Sequence, residues 1–219
     1  LFPASSVIPY EVTARSLEFT AQRLKVMENL LQSKAMVVVA PIQALTNKLV
    51  LPKIVKKFTL NFKVGEIVAL EDVIFKLSSM GYERVDMIEG KGQFAVRGGI
   101  LDIYPLTRDF PYRLEFFDDE VDSIREFSPE DQRSISKLNE IYVGPAREVI
   151  YDSETAKDAS FRIAQDLRRR QEVLNSTNHP ELAEHLTEKV QEHIAKLDAG
   201  MFFESAELYI SYLYPELSN

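Results

Sequence analysis

The chain has 219 residues and a net charge of −8, with 26 Lys and Arg against 34 Asp and Glu. Its hydrophobic share of 45% is ordinary for a globular protein, which allows one large domain or two small ones. The excess of acidic residues argues against nucleic-acid binding that is mainly electrostatic. No apolar run approaches the length of a membrane span.

The chain contains no cysteine, which excludes disulfides, thiolate catalysis and cysteine-bound zinc and fits a cytoplasmic protein. Its start lacks the basic and apolar segments of a signal peptide. Because the first residue is Leu1 and not methionine, we expect the chain to be a stretch of a longer protein.

The first stretch, residues 1–53, resembles an α/β layer in its patterning. Apolar positions recur at helical spacing, at Leu24, Met27, Leu30 and Leu31. Residues 36–40 are then predicted to form a buried strand, which is followed by a short helix through Leu45 and Leu49. The order of helix, buried strand and helix is typical of a parallel α/β layer.

The middle stretch, residues 54–144, is predicted to be a small α+β domain built on a strongly twisted antiparallel sheet. Phe58, Leu60 and Phe62 alternate with polar residues, as in a strand. A helix over residues 71–80 is predicted to end at Gly81. Further strands are predicted over residues 93–104, 112–117 and 121–127.

The last stretch, residues 145–219, is predicted to be helical, with helices over residues 156–174, 180–197 and about 204–214. The middle stretch interrupts α/β-like and helical patterning on its two sides. We therefore expect residues 54–144 to be a domain inserted into one parent domain, which residues 1–53 and 145–219 form.

No nucleotide site is predicted. A P-loop needs a glycine, four residues and then Gly-Lys-Ser/Thr, so that backbone amides and the lysine hold phosphates. Here Gly90 and Lys91 are followed by Gly92, and Val85 stands where the first glycine belongs. A hairpin turn explains Gly90 and Gly92 better.

No metal site or catalytic residue is predicted either, and no cofactor. Asp118, Asp119 and Glu120 lie between two predicted strands, so we interpret them as a solvated turn and not as a magnesium site. His185 and His193 are eight residues apart on one predicted helix, too far for two ligands of one ion, and are interpreted as surface side chains.

Strand alternation predicts one exposed patch in the middle stretch. In residues 112–117 the side chains alternate, so one apolar face holds Tyr112, Leu114 and Phe116. The other face holds Arg113, Glu115 and Phe117. In the preceding strand Arg97 lies on the side opposite the core, before a bulge at Gly98 and Gly99. If the two strands are neighbours, these four side chains form one surface.

Three interpretations of this patch remain open. An aromatic side chain beside arginines has the composition of a protein-binding hot spot. The alternative is an ordinary salt-bridged sheet face whose phenylalanine is covered by another part of the chain. Nucleic-acid binding ranks last, because residues 82–125 hold six Lys and Arg against ten Asp and Glu, a balance of −4. The arginines at 168–170 are interpreted as a solvated helix face.

Several motifs closely resemble those of the transcription-repair coupling factor family. They are residues 81–86 (GYERVD), 92–105 (GQFAVRGGILDIYP), 111–120 (PYRLEFFDDE) and 131–134 (DQRS). Upstream, the chain also matches the family at Phe2 and Pro3, at Pro9, Tyr10 and Glu11, and at residues 39–41.

The resemblance implies a module similar to the excision-repair protein UvrB. It implies a partial, degenerate helicase-like (RecA-like) domain without a working nucleotide site, and a small inserted domain that binds UvrA. The UvrA-contacting residues of the family fall on Arg97, Arg113 and Phe117, with Arg84 and Glu115 as additional contacts. Ala95 stands where UvrB proteins have a second arginine. UvrB itself is disfavoured because its aromatic DNA-clamping hairpin is absent from this stretch.

The expected function is that of an adaptor that recruits UvrA to an RNA polymerase stalled at DNA damage. In the full-length protein, RNA polymerase and DNA would bind through other domains, and an ATP-driven translocase would lie further along the chain. No membrane contact is expected. Two alternatives remain: a fragment of an active ATP-dependent translocase or helicase, and a patch that serves intramolecular docking.

Overall fold

The first unit of the protein is built on a six-stranded sheet. The computed structural model describes residues 1–4 and 17–217, and the first unit takes in residues 1–4 and 17–150. Its elements are α1 (Leu17–Leu31), α2 (Ile42–Thr46), α3 (Pro52–Lys57), β1 (Leu60–Lys63), α4 (Leu70–Ser79), β2 (Glu83–Arg84), β3 (Gln93–Arg97), β4 (Ile100–Ile103), β5 (Tyr112–Phe117), β6 (Glu120–Phe127), β7 (Ser134–Leu138) and β8 (Glu140–Val143).

The strands of this sheet lie in the order β2-β3-β4-β5-β6-β7. The β2-β3 pair is parallel and the other pairs are antiparallel, while β1 and β8 form a separate antiparallel pair. The predicted mixed α/β character with an antiparallel sheet is thus confirmed. The parallel edge strand β2 is an addition to it.

One face of the six-stranded sheet is apolar and packs against α4. Its fully buried side chains include Phe94, Leu101, Ile103 and Leu114. Helix α4 contributes Val73 and Leu77, and Met80 directly after the helix continues the same side of it. Gly81 follows the helix with a φ of +87°, a conformation that glycine adopts readily, so the predicted end of this helix is confirmed.

A buried ion pair and a half-buried one attach α1 to the rest of the first unit. Arg23 Nε donates to both carboxylate oxygens of Glu148, at 2.8 and 2.9 Å, and Arg23 Nη1 donates to the carbonyl oxygen of Pro3 at 2.7 Å. Further along α1, Glu28 accepts a hydrogen bond from Arg108 at 2.5 Å. Each of these charges therefore has a partner of opposite sign inside the protein, as burial requires.

Residues 36–40 do not form the buried strand that their apolar run predicts. Val37 is 88% exposed and Val39 is 61% exposed. The carbonyl oxygen of Val39 accepts a hydrogen bond from the amide of Phe2, but no strand in the described ranges pairs with this stretch. β-branched residues favour a strand only where another strand lies beside them. The short helix that follows ends at Thr46 and does not reach Leu49.

Residues 93–104 form a hairpin and not the single strand that was predicted. β3 and β4 are joined by Gly98 and Gly99, and Gly98 has a φ of +60°, as tight turns between antiparallel strands require. The interpretation of these two glycines as a bulge inside one strand is therefore wrong. The hairpin turn predicted at Gly90 and Gly92 is also wrong, because β2 and β3 run parallel.

The second unit, residues 151–217, is helical. Its elements are α5 (Ser153–Ser176), α6 (Pro180–Asp198), a 3₁₀ segment (Glu204–Tyr209), α7 (Ile210–Leu213) and a second 3₁₀ segment (Pro215–Leu217). The two long helices confirm the prediction. The aromatic helix predicted over residues 204–214 is instead a 3₁₀ segment followed by α7. Within the described ranges, no helix is long and apolar enough to cross a bilayer.

His193 lies in an aromatic cluster of this unit and not on the open surface where it was predicted. Its Nδ1 atom is 2.8 Å from Oη of Tyr209, and its ring stacks on Phe203 with the two centroids 4.9 Å apart. Burial is the main cause that lowers the pKa of His193. Glu192 opposes this shift, whereas Lys196 and Lys189 add to it.

We expect the second unit to lose stability when His193 becomes protonated. Because folding lowers the pKa of His193, its stabilising contribution is complete above the ordinary pKa of about 6.5 and is lost as the pH falls through the folded-state pKa. His193→Gln should remove this acid-dependent loss, whereas His185→Gln, at an exposed position of the same helix, should retain it. Thermal unfolding of the three chains between about pH 7 and about pH 5 measures the difference. Three parallel pH profiles would contradict it.

Candidate protein-binding surface

The face of the six-stranded sheet opposite α4 carries charged side chains. Directly paired residues on neighbouring strands point to the same face, so the register sorts them into rows. One row holds Ala95, Asp102, Arg113 and Arg125, and the next holds Arg97, Ile100, Glu115 and Ser123. We call this surface, together with Phe117 at its end, the charged face.

The structure brings Arg97, Arg113 and Glu115 to one face, as alternation predicts. The strands that carry Arg97 and Arg113 are nevertheless not neighbours, because β4 lies between β3 and β5. The residues of β4 therefore belong to the same surface. Sequence reasoning missed them because it treated residues 93–104 as a single strand.

Asp102, on β4, holds the two arginines in place. The residue is 2% exposed, and its carboxylate accepts from Arg113 Nε at 2.6 Å and from Arg113 Nη2 at 2.7 Å. Arg97 Nη2 donates to it at 3.0 Å. A buried carboxylate is tolerated where charged donors satisfy it in this way. The sequence pattern that could have revealed Asp102 is an acid that alternates with apolar residues within a strand.

Arg113 is held more firmly than Arg97. The side chain of Arg113 is 12% exposed, against 47% for Arg97. Its guanidinium lies 4.2 Å from the ring centroid of Phe127, and its Nη2 also donates to Gln132 Oε1 at 2.7 Å. Hydrogen bonding to Asp102 raises the pKa of Arg113 above its usual value. Arg97 is therefore the arginine whose guanidinium is the more accessible to a partner.

Glu115 has a counter-charge within the charged face. The hydroxyl of Ser123 donates to Glu115 Oε2 at 2.7 Å, and Arg125 forms an ion pair with the same carboxylate. These two groups, Ser123 first, lower the pKa of Glu115 in spite of its partial burial. The charge of Glu115 is thus offset within the face.

Phe117 is the last residue of β5 and is 75% exposed. Phe116 before it packs against the apolar core, so alternation turns Phe117 towards the charged face. Asp118, with a φ of 52°, and Asp119 form the turn into β6. The predicted acidic turn is confirmed for these two residues, whereas Glu120 already belongs to the strand.

Arg84 does not share the charged face. The register of β2 aligns Arg84 with Phe94, whose side chain lies in the core on the opposite face. The next residue, Val85, packs with Ala95 on the side of the charged face. Arg84 is exposed at the edge of the sheet, separated from the other four predicted contacts.

Gly99 allows the β3-β4 hairpin to approach β5 closely. A Cβ at Gly99 would lie 2.7 Å from the carbonyl oxygen of Phe116, and the amide of Phe116 donates to the carbonyl oxygen of Gly99 at 2.7 Å. Any larger residue would push the hairpin away from β5. The glycine therefore helps to set the position of Arg97 on the charged face.

The part of the chain that carries the charged face matches a known domain family. The family model of the UvrB interaction domain matches residues 60–149. The chain is 36% identical to the transcription-repair-coupling factor of Bacillus subtilis over 214 residues, which cover 98% of this chain and 18% of that protein. The corresponding protein of Haemophilus influenzae is 32% identical over 154 residues, which cover 70% of this chain and 13% of that protein. The chain belongs to the transcription-repair-coupling factor family.

This chain thus spans less than a fifth of the length of these relatives in the transcription-repair-coupling factor family. The strands that build the charged face, β3 to β6, all lie inside the matched residues 60–149. Of the motifs on which the resemblance was based, Pro9, Tyr10 and Glu11 lie outside the described residues.

We expect removal of the Asp102 carboxylate to destabilise the first unit. In Asp102→Ala the guanidinium of Arg113 would stay largely buried without its counter-charge, and breaking a buried pair in this way costs about 3–5 kcal/mol. Asp109→Ala is the matched control, because that side chain is 88% exposed and lies 3.9 Å from Lys91, an arrangement worth about 0–1 kcal/mol. Urea unfolding of the two variants compares the losses. Equal midpoints would mean that Asp102 does not hold the sheet face together.

Proposed function

We propose that this chain binds UvrA through the charged face. The observation that carries the proposal is an aromatic side chain, Phe117, that is three-quarters exposed at the end of the charged face. The arginines of this face are held in place by hydrogen bonds to the buried carboxylate of Asp102. Exposed aromatic residues beside arginines dominate the binding energy of many protein interfaces. The match of residues 60–149 to the UvrB interaction domain supports the same function.

The predicted contacts have different roles in this proposal. Phe117 is the apolar anchor, and Arg97 is the accessible guanidinium that a carboxylate of the partner can bind. Arg113 and Glu115 are already engaged by Asp102 and Arg125, so they offer the partner a fixed, preorganised surface. Arg84 is a peripheral contact, because it lies at the edge of the sheet and does not share the charged face.

We also propose the domain organisation that the family resemblance implies. Residues 54–144 are the inserted domain, and residues 1–53 and 145–219 belong to a partial, degenerate helicase-like (RecA-like) domain. The family match over residues 60–149 supports the inserted domain. The exposed valines at positions 37 and 39 support a partial domain, because such a stretch is normally covered by neighbouring strands.

In the longer protein, this module would recruit UvrA to an RNA polymerase stalled at DNA damage. RNA polymerase and DNA would be bound by other domains of that protein, which also supply the ATP-driven translocation. A domain of the same protein would cover the charged face until the polymerase is engaged. These roles are proposed from the family and rest on the 18% of the Bacillus subtilis protein that the chain matches.

Phe117→Ala and Arg97→Ala should each weaken UvrA binding while leaving the fold intact. Truncating a central hot-spot side chain costs about 2 kcal/mol or more, which is roughly a thirtyfold loss of affinity. Isothermal titration of purified UvrA with each variant measures the loss. Arg168→Ala, an exposed arginine of α5 in the second unit, is the control and should bind as the unaltered chain does.

Arg113→Ala needs a separate comparison, because that side chain is largely buried against Asp102 and Phe127. Its loss of UvrA binding should come with a loss of stability. The variants Phe117→Ala and Arg97→Ala therefore decide whether the charged face is the binding site. Normal affinity in both, with an unchanged circular dichroism spectrum, would show that UvrA binds elsewhere on the chain.

The proposed module is not an enzyme, and nucleotide binding distinguishes it from a fragment of an active translocase. The residues around Gly90 and Lys91 do not have the spacing of a phosphate-binding loop, whose amides and lysine are hard to replace. Calorimetric titration of the chain with ATP and Mg²⁺ should therefore give no saturable heat. A saturable signal would favour the translocase alternative.

A further inference from the structure

We infer that the binding surface continues beyond Phe117 across Glu120 to Ile67, and that UvrA covers it with an apolar region that carries a basic group near its centre. This inference rests on the proposed function, since it names further contacts for the same partner.

Phe117, Glu120 and Ile67 stand in one row. Glu120, at the start of β6, pairs with Phe117 on one side and with Ile67 on the other. Directly paired residues in a sheet point to the same face, so all three side chains lie on the side of the charged face. Neighbouring strands are about 4.8 Å apart, which sets the backbones of Phe117 and Ile67 about 10 Å from each other.

The two apolar side chains of this row are exposed to a similar degree. Ile67 is 78% exposed and Phe117 is 75% exposed, and Glu120 between them is exposed as well. One exposed apolar side chain is ordinary on a protein surface, but two that flank a single residue in a sheet row form a site that a partner can cover.

The position of Ile67 is fixed by the backbone on both sides. The amide of Gly65 donates to the carbonyl oxygen of Val121 at 2.8 Å, and the amide of Val121 donates to the carbonyl oxygen of Glu66 at 2.9 Å. After Ile67, the amide of Val68 donates to the carbonyl oxygen of Asp119 at 2.7 Å. A backbone held in this way does not have to be ordered when a partner binds, which favours affinity.

The charges around the row define the chemistry of the partner surface. Glu120 lies next to the turn residues Asp118 and Asp119, so this end of the surface is acidic. Arg97 lies towards the opposite end of the surface, because β4 and β5 separate its strand β3 from β6, and its guanidinium is accessible. A complementary UvrA surface therefore presents a carboxylate to Arg97, apolar contacts to Phe117 and Ile67, and a basic group to Glu120.

The test measures the affinity of purified UvrA for variants of this chain. Ile67→Ala should weaken binding at least about fivefold, as expected of an interface contact near an anchor residue. The matched control is Phe75→Ala, since Phe75 is also 78% exposed but lies on α4, which packs on the opposite face of the sheet. Both side chains are exposed, so neither change should move the unfolding midpoint.

A charge reversal tests the predicted basic group on UvrA. Glu120→Lys should weaken binding more than Glu120→Gln does, and the difference should shrink with added salt. Glu188→Lys, at an exposed position of α6 in the second unit, controls for the change in net charge.

Four outcomes are distinguishable. A loss in Ile67→Ala without a loss in Phe75→Ala supports the extended surface. Normal binding by Ile67→Ala, together with weak binding by Phe117→Ala, overturns this inference and leaves the proposed function standing. Equal losses in Ile67→Ala and Phe75→Ala overturn it as well, because the effect would not depend on the face. No binding of UvrA by the unaltered chain overturns the proposed function and this inference together.

Discussion

The buried carboxylate of Asp102 is the constraint on which the charged face depends. It sits on the strand between the two arginines, and it accepts hydrogen bonds from both. A buried charge without partners is costly, so β3 and β5 must flank β4 in a register that delivers Arg97 and Arg113 to the same carboxylate. The ion pairs that keep the sheet face intact thus also fix the direction of the side chains that a partner would meet.

This arrangement divides the charge unevenly along the face. Asp102 meets two guanidiniums, which leaves one positive charge in excess, and Arg97 carries it into solvent. Glu115 is balanced by Arg125. Beyond Phe117, the acids of the turn make the surface negative. A chain with a net charge of −8 can therefore still present a positive end on this face. Such a pattern of charges favours a partner with the complementary pattern, whereas net charge alone would not discriminate between partners.

Alternation in residues 112–117 was enough to predict which side chains of β5 point away from the core, because that signal is local. The pairing of strands is not local, and this is where the sequence reasoning failed. Gly98 and Gly99 fit a bulge or a turn equally well from their sequence, and only the turn places Asp102 between the arginines. Similarly, the apolar run at 36–40 shows β-propensity but cannot reveal that no strand of the described ranges lies beside it.

Ala95 limits the number of arginines on the charged face. It stands in the row of Asp102 and Arg113, at the position where the resemblance gives UvrB proteins a further arginine, and it is 1% exposed. Ala95 packs with Ile88, Tyr104 and Phe127, and the ring of Phe127 also supports the guanidinium of Arg113. A long charged side chain at this position would have to displace that cluster or compete for Asp102. The apolar cluster that supports Arg113 and an arginine at position 95 therefore exclude each other, and this chain has the apolar cluster. In the proposed interface, Arg97 and the apolar end at Phe117 are then the accessible groups of this face.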